Sequence, residues 1–397
     1  MPPALARFAL PGAVVALGVT QIVGYGTLYY AFGVLVPAIS AELGLSQGLL
    51  FGGFSGALLA GGLVALPVGW RIDRLGARRV MTVGSGLAAV ALGAMALAVG
   101  PISLIVALVA SQIAAALVLY DAAFAALAQA LGSPRARRAI TQMTLFGGFA
   151  STLFWPLTEA LSTGIGWRAT LGLFGALHLL LCLPLHRGLA TRTEPMPMAA
   201  PGARPVKTYT PLPIEAQRRA FIWLTLALST SGFVSAAIMA QWVTALGALG
   251  VASGAAVAAG ALMGPGQVTA RLIEMLFGQA LHPLGTAMIS VLMLTSALSM
   301  LLLGGTGPIA LAAFASLFGL SQGLSSLVRG AAVLALFGPE GFAARLGAIA
   351  IFRMTSSALA PVALALALGL WRAEAAIAAA LALTVISALA LLRVPRA

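Results

Sequence analysis

The residues able to do chemistry are few in this chain. Only 8% of its 397 residues are charged, with nine acids, three histidines and one cysteine. Six charged residues stand alone inside long apolar runs: Asp121, Glu159, Arg271, Glu274, Arg329 and Arg353. A charge in such a run costs roughly 2.5–3.5 kcal/mol if the run crosses a membrane, so each calls for a role or a snorkelling route to water. The arginines could bind an anion, and the carboxylates could carry a proton. Arg271 and Glu274 are three residues apart and share a helix face, where they could partly neutralise each other. Proton coupling would therefore fall on Glu159 or Glu274, with Arg271 modulating the latter. Catalysis is not expected. His178, His186 and His282 are scattered at or near the ends of apolar runs without metal-ligand spacing, Cys182 is alone, and no nucleophile–base pair is visible. No metal or other cofactor is expected.

Uncharged polar and aromatic residues inside the runs complete a candidate binding set. Gln21, Tyr25 and Tyr29 recur every four residues on one face; Gln142, Trp155, Gln241, Gln267 and Gln322 lie in later runs. Gln267 follows Gly264-Pro265-Gly266, where proline would free backbone carbonyls at depth, best tolerated beside a cavity. Each residue alone could be interhelical glue, worth about 0.6 kcal/mol. The set as a whole is better explained by a pocket. For the arginines two readings stand: Arg329 and Arg271 snorkel at the cytosolic interface or bond to helix-end carbonyls, or at least one arginine, best Arg353 or Arg329, attracts or binds an anion.

The elements that must position these residues follow from composition. Hydrophobic residues make up 61% of the chain, and the mean hydropathy is +1.05. No soluble domain hides that much apolar surface, so the solvent is lipid. Runs long enough to span fall near 10–38, 48–68, 80–99, 102–125, 139–163, 168–186, 220–245, 251–277, 284–304, 308–330, 346–368 and 374–393. Runs this long are helices rather than barrel strands. The predicted fold class is all-α, an integral membrane protein with twelve transmembrane helices. The net charge of +13 does not call for nucleic acid, because seventeen of the 22 Lys and Arg fall on one side when the N-terminus is cytosolic. Both termini are then cytosolic, and a cleavable signal peptide is not expected.

A proline-rich, basic stretch, 187–219, reads as a cytosolic linker between two six-helix bundles, residues 1–186 and 220–397. Leu43-Gly44-Leu45 with Gly48 recurs as Leu249-Gly250-Val251 with Gly254, which supports a repeat of the two halves.

Between the second and third runs stands Gly69-Trp70-Arg71-Ile72-Asp73-Arg74-Leu75-Gly76-Ala77-Arg78-Arg79. Its spacing resembles the signature loop of the major facilitator superfamily of secondary transporters, departing from it at Ala77, where the family usually has a basic residue. The resemblance implies two six-helix bundles working by alternating access. It also implies a cytosolic latch built from Gly69, Asp73, Arg74, Gly76 and Arg78, with Asp121 of the fourth span pairing with the loop arginines. Independently, Asp73 at a span end could accept from exposed helix N-terminal amides. Tyr29-Tyr30-Ala31-Phe32-Gly33-Val34-Leu35 with Glu42-Leu43-Gly44 is similar to the first span of the monocarboxylate and oxalate–formate branches, and Gly166-Trp167-Arg168 is widespread in the superfamily. The expected function is secondary active transport of a small organic anion across the inner or plasma membrane, as symporter or antiporter, by a monomer. Proton-coupled efflux of a drug-like compound or metalloid oxyacid is the alternative. The partners expected are the substrate, the lipid bilayer and protons as coupling ion.

Overall fold

A computed structural model of the chain describes residues 12–131, 133–189, 210–277, 281–303 and 305–395. Among these residues there is no strand, and helices make up most of the described part of each expected apolar run. In chain order the helices are α1 (Gly12–Leu43), α2 (Gln47–Leu63 and, after a 41° bend, Ala65–Leu75), α3 (Ala77–Ala96) and α4 (Pro101–Leu131). One continuous run, Arg135–Arg187, is divided by Gly166, whose φ of 82° is not helical, into α5 (133–165) and α6 (167–187). Then come α7 (Ile214–Ala240, extended by Trp242–Ala248) and α8 (Ser253–Gly260 and Met263–Phe277). The last four are α9 (Pro283–Leu303), α10 (Pro308–Phe337), α11 (Phe342–Leu370) and α12 (Ala373–Leu392). Among the described residues nine helices are long and apolar enough to cross a membrane, and the bent pair of α2 makes a tenth. The long run counts once in that tally although Gly166 divides it. The expected eighth span is two short helices broken at Ala261 and Leu262, four residues before Pro265. Proline lacks the amide that would bond to Ala261, so the break follows from the Gly-Pro-Gly sequence.

The described residues fall into two compact units. The first holds α1–α6 together with Pro339–Ala348; the second holds α7–α10 and continues from Ile349. Most of the expected linker, 190–209, lies outside the described residues.

Glycine sets the packing of the first unit. A Cβ on Gly18 would overlap the Phe146 ring, and one on Gly26 would overlap Phe154. Both contacts advance by eight residues, so α1 and α5 run parallel at close approach. In the second unit, Gly319 meets Met263 and Gly323 meets Gln267, which fixes α8 parallel to α10 in the same way. The repeated Leu-Gly pair also has a local cause. Gly44 and Gly250 have φ of 65° and 86°, and each stands just beyond a helix end, where glycine has no Cβ to clash. At the second, Val251 N–H donates to Leu246 O at 3.0 Å and Gly250 N–H to Gly247 O at 2.9 Å, a Schellman motif.

The Gly166-Trp167-Arg168 turn opens α6 and clamps three helices. Glu42, at the end of α1, accepts from Trp167 Nε1 at 2.6 Å and from Arg168 Nε at 2.7 Å. Arg168 also donates to Ala96 O at the end of α3, and its guanidinium lies 4.3 Å over the Trp167 ring.

Candidate substrate and gating sites

Helix α1 is not uniform. Residues Gly26–Tyr30 form a π-helical turn, a widening often found at functional sites. The extra residue places both Tyr29 and Tyr30 in one aromatic cluster, which strict 3.6-residue spacing would have separated. Tyr25 lies 4.6 Å from Tyr120 of α4 and 6.4 Å from Tyr29, and Tyr30 lies 6.1 Å from Trp155 of α5, all between ring centroids. Tyr29 and Trp155 are exposed, at 41% and 55%. Of the expected set, then, Tyr25, Tyr29 and Trp155 do assemble. Tyr30 and Tyr120 belong with them and were missed.

Gln21, one turn before Tyr25, is fully buried and donates from Nε2 to Val118 O at 2.9 Å, while its Oε1 has no hydrogen-bond partner. Helix α4 breaks at this level. Leu119 is extended, with ψ of −166°, and a new helix starts at Tyr120. The π turn is braced from two sides. Gln112 Nε2 donates to Leu28 O at 2.7 Å, and His178 Nε2 lies 2.8 Å from Thr27 Oγ1. Thr27 already donates to Val23 O, so the imidazole is the donor in that pair. His186 bridges Ser85 and Thr20 at 2.8 and 3.0 Å. Both histidines are 1% exposed, so their proximity to span ends does not bring them to water. Gln142 is buried on α5, and Glu159 is exposed on the same helix.

In the second unit the glycine seam sets Gln267 and Arg271 of α8 against α10. Gln322, Ser326 and Arg329 follow one another there at intervals of four and three on one face. Arg271 is 6% exposed. It donates from Nη2 to Ser326 Oγ at 3.4 Å, and Nε and Nη1 have no hydrogen-bond partner. The expected neutralisation by Glu274 does not occur as an ion pair: that carboxylate, also 6% exposed, accepts from Thr286 Oγ1 of α9 at 3.5 Å. The two side chains share a helix face but lean to different neighbouring helices. Arg353 packs elsewhere, its Cγ lying 3.3 Å from where a Cβ on Gly232 of α7 would stand. Gln241 sits at the break of α7 and donates to Pro361 O of α11 at 3.3 Å.

The signature loop is explained residue by residue within the first unit. Gly69 and Asp73 are one turn apart on the second segment of α2, facing the first turn of α11. A Cβ on Gly69 would overlap the Ala343 carbonyl. Asp73 accepts from Ala343 N–H at 3.2 Å through Oδ1 and from Ala344 N–H at 2.9 Å through Oδ2. These are orphan amides at a positive helix end, so a carboxylate suits them in both hydrogen bonding and charge. Gly76, with φ of 85°, makes the sharp turn into α3.

Asp121 does not join the loop as expected. Arg74 and Arg78 are exposed, and neither forms an ion pair with Asp121. Asp121 stands eight residues before Gln129 on the same helix, about 12 Å higher along its axis. It is Gln129 that reaches the loop, accepting from Ala77 N–H at 2.8 Å and donating to Ile72 O at 3.2 Å.

Comparison with known proteins agrees with this architecture. The human organic anion transporter MFSD10 (TETRAN) superposes with a TM-score of 0.71 at 15% identity, covering 96% of this chain and 98% of that one. The transporter FucP, in its outward conformation, gives a TM-score of 0.69 at 13% identity over 97% of this chain and 99% of its own. No curated protein sequence matches. A family model does, over residues 18–285, more than half of the chain. With that match laid over paired helical units and a glycine–aspartate loop seated on a helix start, the chain belongs to the Major Facilitator Superfamily.

Proposed function

We propose that this membrane transporter carries a small organic anion by alternating access, with Arg271 as the group that grips the anion. The observation carrying the reading is the environment of that side chain. A guanidinium 6% exposed, with one long hydrogen bond and two unpartnered nitrogens, is an uncompensated buried charge, a state that costs about 3–5 kcal/mol when a partner is removed. A carboxylate offers two oxygens to the planar fork and would relieve that cost. Gln322 and Arg329 on the same face of α10, and Gln267 one turn away on α8, would supply further donors. One structural neighbour is named an organic anion transporter, which is consistent with this reading. The test is thermal stabilisation of the purified protein by a panel of mono- and dicarboxylates. Stabilisation by at least one, lost in Arg271→Gln, supports the proposal; stabilisation that survives this substitution removes it.

In the same reading, Asp73 on the first turn of α11 is the cytosolic latch, and Glu274 is the coupling carboxylate if protons drive the cycle. Exposed Glu159 is not enclosed as a carrier should be. The seventeen basic residues expected on one side favour a plasma or inner membrane setting with cytosolic termini.

A further inference from the structure

Gln112, Gln129 and Gln241 tie helices together by donating to Leu28 O, Ile72 O and Pro361 O. Gln267 and Gln322 do not. Both are half-buried, and among the described residues neither amide has a hydrogen-bond partner. Their place follows from the glycine seam of the second unit. Helices α8 and α10 run parallel and in step, Gly319 against Met263 and Gly323 against Gln267. Helical spacing then puts Gln267 and Arg271 of α8 on the same side of the seam as Gln322, Ser326 and Arg329 of α10. The bond from Arg271 Nη2 to Ser326 Oγ at 3.4 Å lies on that side, whereas Glu274 turns away to Thr286 of α9. The strip so formed has two ends. Arg271, Ser326 and Arg329 make a positive one. Gln267 and Gln322 make a neutral one, each four residues before Arg271 or Ser326, about 6 Å along its helix.

An amide offers donors and an acceptor together, and so does a hydroxyl. A second carboxylate would use only the donors, and an ammonium only the acceptors. An apolar chain laid over the two amides would strand both, so a site of this kind discriminates against molecules that lack the matching polar group.

We infer that Gln267 and Gln322 bind hydroxyl groups of the transported molecule, so that the substrate is a hydroxylated carboxylate of the sugar-acid kind. Its carboxylate sits on Arg271 and its hydroxyls lie about 6 Å away. This rests on the reading that Arg271 grips the anion, and it narrows the substrate from organic anions in general to hydroxy acids.

The test uses matched pairs of carboxylates on the purified full chain, read by thermal shift and titration calorimetry. D-Gluconate and hexanoate have the same carbon chain and the same carboxylate, and differ in their hydroxyls. So do 3,4-dihydroxybutanoate and butanoate. In at least one pair the hydroxylated member is expected to bind tenfold or more tightly than its partner. Gln267→Met and Gln322→Met keep the side-chain length and lose the amide. Combined, they should reduce the preference to threefold or less, while the melting temperature without ligand stays near wild type. Arg271→Gln should weaken both members of a pair. A preference below tenfold in both pairs overturns the hydroxyl subsite, and so does a larger preference that survives in the double variant or the absence of binding by either hydroxy acid. If plain carboxylates bind through Arg271 and hydroxyls add nothing, the anion reading stands and the hydroxyl subsite falls. If the preference depends on the glutamines but Arg271→Gln changes nothing, the glutamine pair stands and the anion reading falls.

Discussion

Replacing Asp73 by asparagine isolates the contact between α2 and the first turn of α11. The carboxylate accepts from two successive amides, at 3.2 and 2.9 Å. Asparagine keeps one acceptor oxygen and turns the other atom into an NH2 that faces an N–H. One charge-assisted bond is then lost, worth about 1.5–3 kcal/mol, together with the helix-end interaction of about 0.3–1 kcal/mol. Partial exposure of Asp73 reduces both, and about 2 kcal/mol is a fair total, equivalent to roughly 30-fold in an equilibrium. The assay is amide hydrogen exchange resolved to the α11 N-terminus. Ala343 and Ala344 should exchange roughly 30-fold faster in Asp73→Asn, while amides in the middle of α9 keep the wild-type rate. Gly69→Ala should act in the same direction through a different cause, because its Cβ forces the two backbones apart. Exchange at Ala343 and Ala344 within twofold of wild type in both variants would refute the argument.

Other outcomes follow from the same geometry. Glu42→Ala should lower the melting temperature more than Glu42→Gln, because glutamine still offers an acceptor to Trp167 Nε1; equal melting temperatures would show that the clamp contributes nothing. Gly166→Ala forces an L-residue to φ 82° and ψ 157°, a region essentially reserved for glycine, at a strain of about 1–3 kcal/mol, and should lower stability in a melting experiment where Gly164→Ala, with open space around its Cβ, does not. Glu274→Gln should abolish uptake driven by a pH gradient while sparing exchange of substrate between the two sides, and Glu159→Gln should leave both intact; pH-driven uptake surviving in Glu274→Gln would place the coupling elsewhere.

Much of this was legible before any coordinates. The apolar runs, the repeated Leu-Gly caps and the G-x-x-x-D spacing depend on local sequence, and lipid leaves a chain little choice but helices. Asp73 against a helix N-terminus was also readable, because a carboxylate at a span end needs donors. Residues that act across helices were harder to see. Gln129 and Gln112 look like ordinary amides on an alanine-rich helix, and only the fold brings them to Ile72 and Leu28, 57 and 84 residues away. Asp121 drew attention instead because charge stands out in an apolar run, but it lies two turns from the loop. The π turn of α1 is invisible to a 3.6-residue reading, so Tyr30 and Tyr120 were passed over while Tyr25 and Tyr29 were found. Arg271 was read as partly neutralised at best by Glu274, three residues away; sequence spacing gives a shared face and not the rotamers that separate the two groups.

The central claim is that a buried, under-bonded arginine makes this chain an anion transporter, and uptake by Arg271 variants tests it most directly. Protein reconstituted at equal density is assayed for accumulation of the carboxylate that stabilises the wild type best. Arg271→Gln should abolish accumulation. Arg271→Lys, which keeps the charge but loses the planar fork, should retain no more than about a tenth, the cost of about one charge-assisted hydrogen bond. Uptake within twofold of wild type in both variants would contradict the account.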